Sequence, residues 1–132
     1  MGDLYGYCVH TFRHSGKLAE EFERGAKGTL EEGKPWVTAR RLWTEAEGLG
    51  QPMALLFSAA ETEEQSGIIY WARIDSIMIG DPTRKTECSY SSLRPVAPAQ
   101  KISALRLRVG GHAVSADQIR PYIICYTPGF LE

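Results

Sequence analysis

A chain of 132 residues with 43% hydrophobic and 23% charged residues is the size of one domain (1–132) and has the composition of an ordinary folded protein, which excludes a disordered chain. No apolar run approaches the roughly 20 residues that a membrane-crossing helix needs, so no membrane partner is expected. The start, Met1-Gly2-Asp3-Leu4-Tyr5, lacks the basic and apolar regions of a signal peptide, and the expected location is the cytoplasm. Net charge is −1, but seven basic residues against two acidic ones lie between Arg84 and Arg120, while seven acidic residues against Arg73 alone lie between Thr44 and Thr83.

In chain order, Leu4 to Phe12 is rich in Tyr, Val, Thr and Phe and reads as a first strand. Ser15 offers an N-cap for a helix over residues 16–26, with Leu18, Phe22 and Gly25 or Ala26 on one stripe. Thr29-Leu30-Glu31-Glu32 has the T-x-x-E form of a capping box and predicts a short helical turn closed by Gly33. After Pro35, Trp36 to Trp43 is expected as a strand, with Thr38 and Arg40 on one face and Val37, Ala39 and Arg41 on the other. Thr44 to Pro52, with its two glycines, reads as a loop or single turn.

Met53 to Ser58 and Ile68 to Ile79 read as apolar strands forming a hairpin at the centre of a sheet. Period two puts Ile69, Trp71, Arg73 and Asp75 on one face of the second, and Ile68, Tyr70, Ala72, Ile74 and Ser76 on the other. Gly80-Asp81-Pro82 is a turn, Thr86 to Leu93 a polar strand, and Arg94 to Gln100, with two prolines, a loop. Leu105 to Val109 alternates apolar and basic residues, Ser115 to Ile119 suggests a helical turn, and Tyr122 to Tyr126 reads as a buried strand. The pattern predicts an α+β fold: a small mixed β-barrel of five to seven strands, with one or two helices near the N-terminus.

Cys8, Cys88 and Cys125 are odd in number and widely spaced, so they read as buried thiols. Cys8, His10 and His14 form half of a zinc site without a second ligand pair; no metal and no cofactor is expected.

The succession strand, helix, glycine-introduced strand bearing Thr and Arg, and hairpin of apolar strands resembles the PUA-like superfamily over residues 4–80, in particular its ASCH and EVE branches. ASCH domains carry G-x-K-x-x-[E/T]-x-R, which Gly33, Thr38 and Arg40 match, with Pro35 at the lysine position and Lys34 beside it. The resemblance implies a barrel with a cleft for nucleic acid, RNA or DNA, in which a base, modified or flipped out, is held. Thr38, Arg40, Arg41, Trp43, Tyr70, Trp71, Arg73 and Tyr90 are the candidates for the pocket. Arg94, Arg106 and Arg108 are the candidates for phosphates.

Strand aromatics can stack on bases and arginines can pair with phosphates or base edges, although each tryptophan could equally serve core packing. Ser89, Ser91 and Ser92 around Tyr90 could wall such a pocket or form a polar edge. Two alternatives stay open: a small amidohydrolase acting on an acetylated nucleoside, with Thr38 and Lys34 as catalytic groups, and a protein-interaction module. Cys88, His112 and Asp117 supply the residue types of a thiol hydrolase without the local setting that activates a thiol.

Overall fold

The computed structural model describes residues 3–60, 67–114 and 122–131. Among these, six strands form one open sheet in the order β2-β5-β4-β3-β1-β6, accompanied by two α-helices. The strands are β1 (Tyr7–Arg13), β2 (Gly28–Glu32), β3 (Ala54–Ala59), β4 (Gly67–Ile79), β5 (Thr86–Lys101) and β6 (Ile123–Tyr126). The helices are α1 (Ser15–Glu23) and α2 (Val37–Gly48). β1 and β3 are parallel, whereas the other neighbouring strands are antiparallel. The expected central hairpin is β3 and β4.

The sheet does not close into the expected barrel. Its edges are β2 and β6, and the outer edge of β6 is already occupied: Arg108 N–H donates to Ile124 O at 3.0 Å and Tyr126 N–H to Arg106 O at 2.9 Å. At the far edge, β2 has five residues and carries Glu31 and Glu32, which discourage further pairing. The alternating stretch over residues 105–109 contributes only isolated bridges, Arg106 with Ala113 and Leu107 with Cys125.

Two apolar layers hold the sheet. On one face, Leu18 of α1 and Ala39, Leu42 and Ala46 of α2 pack on Val9, Leu55, Phe57, Ala72 and Ile74. On the other, Cys8, Leu56, Trp71 and Cys125 pack under Ile102, Leu105 and Val114. Burial on both faces explains why β3 is a continuous apolar run rather than an alternating one.

Three local expectations are corrected. Residues 37–48 are helical, so the strand expected over 36–43 and the loop over 44–52 give way to α2. Buried Ala39, Leu42 and Ala46 recur at three- and four-residue spacing, which a helix gathers into one stripe and a strand does not. The helix ends in a Schellman turn: Gln51 N–H donates to Ala46 O at 3.0 Å and Gly50 N–H to Glu47 O at 3.1 Å, with Gly50 at φ +69°.

Residues 28–32, expected as a helical turn, are strand β2, because pairing with β5 satisfies the backbone and buries Leu30 between exposed Thr29 and Glu31. Residues 94–100, expected as a loop, continue β5 despite Pro95 and Pro98, next to a register shift opposite β4. The helical turn expected at 115–119 lies outside the described residues.

Candidate functional site

A cleft of about 880 Å³ opens where β4 and β5 meet the turn after α2 and the segment after β6. Its floor is local in origin. Trp71, Arg73 and Asp75 alternate along β4 and reach the same side, as period two predicts. Ile69 does not join them: a register irregularity beside it turns Ile69 and Tyr70 towards the helices and leaves Ile68 with Trp71.

Strand β5 supplies Arg94, the direct register partner of Trp71, whose guanidinium carbon lies 4.3 Å from the indole centroid. One residue more on β5 than on β4 separates the pairs Trp71–Arg94 and Arg73–Ser91. That stretch contains Ser92, at φ +56°, whose carbonyl accepts the Arg94 Nε–H at 3.0 Å. The bulge thus aims Arg94 back over the tryptophan, the re-aiming that bulges beside functional sites provide.

Beside this stack, Arg73 donates to Asp75 Oδ1 from Nη2 at 3.3 Å and from Nε at 3.4 Å, and the Ser91 hydroxyl donates to the same oxygen at 3.0 Å. The α2 Schellman turn contributes Glu47, Gly50, Gln51 and Pro52 to the wall, and Asp3 and Thr127 also line it. Thr127 is fixed by its hydroxyl, which donates to Tyr5 O at 2.5 Å. The charge of the lining is three carboxylates (Asp3, Glu47, Asp75) to two guanidiniums (Arg73, Arg94).

Of the residues expected around a pocket, the structure gathers Trp71 and Arg73, with Ser91 and Ser92 beside them, and joins to them Arg94, which was expected on phosphates. Thr38 and Arg40 do not line the cleft. Two residues apart on a helix, they diverge by about 200°; Thr38 is half-buried, and Arg40 and Arg41 are exposed on α2. Lys34 is exposed in the link before α2, where its carbonyl accepts the Thr86 hydroxyl at 2.7 Å.

Trp43 packs half-buried on the helix-side core, and Trp36 is fully buried there with Tyr122 at 4.6 Å. Tyr70 faces Phe22 on that same side, at 6.1 Å. Arg106 donates to Gly111 O at 3.5 Å, and Arg108 lies 5.0 Å from the Tyr7 ring centroid; neither reaches the cleft. Cys88 is buried in the helix-side core, and burial followed by the charge of Asp75 pushes its thiol up to about 12, which opposes a nucleophilic role. Among the described residues no group of three or more His, Cys, Asp or Glu side chains is placed to hold a metal ion, and no helix is long and apolar enough to cross a membrane.

Sequence reasoning missed two buried polar units. Tyr90, expected at a pocket, is instead 1% exposed and donates its hydroxyl to Glu21 Oε1 at 2.5 Å. Arg13 Nη2 reaches Glu21 Oε2 at 3.2 Å and Thr29 O at 3.3 Å. Burial, then the Glu21 hydrogen bond, raises the Tyr90 phenol, keeping it a protonated donor. Gly28 permits the arrangement, because a Cβ there would collide with the Glu21 carboxylate. The second unit pairs His10 Nε2 with Ser58 Oγ at 2.7 Å; burial lowers the His10 pKa to about 4, so the ring is neutral. The acidic position i+3 from Leu18 was the available signal for the first unit; the second joins β1 to β3 across 48 residues and left no local signal.

Compared with protein families, with curated proteins and with solved structures, the chain matches none.

Proposed function

We propose that this chain is a nucleic-acid-binding domain that holds a base in the β4–β5 cleft, against the Arg94–Trp71 stack. The observation that carries the reading is the guanidinium 4.3 Å from the indole centroid in the wall of a cleft of about 880 Å³. Arginine planes and aromatic rings are the surfaces on which unstacked bases are held, and such stacking contributes about 1–3 kcal/mol per base. The cleft is large enough for a nucleoside, and its lining combines apolar side chains with the donors Arg73 and Arg94 and the acceptors Asp3, Glu47 and Asp75.

On this reading the sheet is a variant PUA-like scaffold, open rather than closed. The opening strand, helix and central antiparallel pair support the kinship. The Gly33, Thr38 and Arg40 match does not, since those residues sit away from the cleft.

The test is a tryptophan-fluorescence titration with single-stranded DNA and RNA oligonucleotides, plain and carrying modified bases. Arg94→Ala is expected to weaken binding roughly 5- to 150-fold, the equivalent of about 1–3 kcal/mol. Titrations showing no binding to any of these oligonucleotides, or equal binding by Arg94→Ala, would defeat the reading.

A further inference from the structure

We infer that the cleft takes the uncharged, amino-bearing edge of a base and keeps phosphate out, so that a nucleoside of cytosine or adenine binds at least as tightly as its 5′-monophosphate. The inference rests on the base-binding reading above.

The charge balance of the cleft points this way. Three carboxylates face two guanidiniums, and neither guanidinium is presented as a phosphate fork. Arg73 directs both Nε and Nη2 at Asp75 Oδ1, and Arg94 lies over Trp71 with Nε on Ser92 O. A phosphate entering here would compete with Asp75 for Arg73 and share the cleft with the carboxylates of Asp3 and Glu47. The other basic candidates stand elsewhere: Arg40 and Arg41 on α2, Arg106 and Arg108 beside β6.

The carboxylates favour a hydrogen-bond donor instead. Among the described residues, the three bonds that converge on Asp75 all use Oδ1, which leaves Oδ2 as the acceptor there. Carboxylates accept from exocyclic amino groups such as cytosine N4, which uracil lacks. Uracil presents the acceptor O4 where cytosine presents its amino donor, so a carboxylate there meets a second acceptor and disfavours it.

Calorimetric titration of the whole chain with cytidine, adenosine, uridine and the corresponding 5′-monophosphates, at 50 and 300 mM salt, tests this. Cytidine or adenosine is expected to bind as tightly as its monophosphate or more tightly, uridine at least roughly tenfold more weakly, with less than about twofold change across salt. Asp75→Asn should weaken nucleoside binding and raise the monophosphate-to-nucleoside affinity ratio severalfold. Glu47→Gln, on the exposed end of α2, should raise that ratio without touching the Arg73 pair.

A monophosphate preferred tenfold or more, or uridine equal to cytidine, would overturn the inference and leave the base-binding reading standing. So would ratios unchanged in both variants. Failure of every nucleoside, nucleotide and oligonucleotide to bind would defeat both.

Discussion

Replacing Tyr90 by Phe removes one hydroxyl from a place that water does not reach. Tyr90 is 1% exposed and Glu21 8% exposed, and the hydroxyl donates to the carboxylate at 2.5 Å. Hydrogen bonds to a charged group contribute about 1.5–3 kcal/mol, and the isosteric ring leaves no cavity to add to this. For 132 residues at about 2.1 cal/mol/K each, the unfolding entropy is roughly 0.28 kcal/mol/K, so the Tm is expected to fall by about 5–11 °C.

Calorimetry and urea unfolding measure the loss, and a cycle with Glu21→Gln isolates the pair. Coupling above about 1 kcal/mol is expected, because Gln presents a neutral acceptor that Arg13 does not hold as an ion pair. A Tyr90→Phe loss under about 0.5 kcal/mol, or strict additivity with Glu21→Gln, would show that the buried triad is not what ties α1 to β5.

Gly28→Ala should destabilise by about 1–3 kcal/mol by displacing the Glu21 carboxylate, and by less in a Tyr90→Phe background; equal losses in both backgrounds would break the link. Since the His10 pKa falls from 6.5 to about 4 on folding, the unfolded chain binds the extra proton between those values. Stability is therefore fully present above about pH 6.5 and declines by up to about 3 kcal/mol as the pH drops towards 4. Urea midpoints measured from pH 7.5 to 4.5 should show this slope, and His10→Phe should flatten it; an equal slope in the variant would refute the assignment. Burial also raises Cys8, Cys88 and Cys125, so a thiol reagent at pH 8 should label none of the three in the native protein and all three in denaturant. Rapid native labelling would contradict the packing of both layers.

Part of the cleft was legible one strand at a time. Trp71, Arg73 and Asp75 share a side because alternation along β4 is a property of neighbouring residues. Thr38 and Arg40 misled for the same reason: β-branched Val37 and Thr38 beside an alternating Thr-x-Arg suggest a strand. The competing 39, 42, 46 spacing extends past Trp43, into residues expected as a loop. Asp3, Gln51 and Thr127 carried no local signal, because the segment before β1, the Schellman turn and the end of the last strand meet only in the folded chain.

The sequence by itself determined what depends on a few consecutive residues: the central apolar pair β3 and β4, the first strand and helix, the burial of the cysteines and the common face of Trp71 and Arg73. Only the tertiary structure decided that residues 28–32 pair as a strand, that the sheet stays open at β2 and β6, and that Arg94 folds over Trp71. Those outcomes hang on register between strands far apart in the chain. One extra residue at Ser92 shifts every partner beyond it, and no local periodicity encodes that shift.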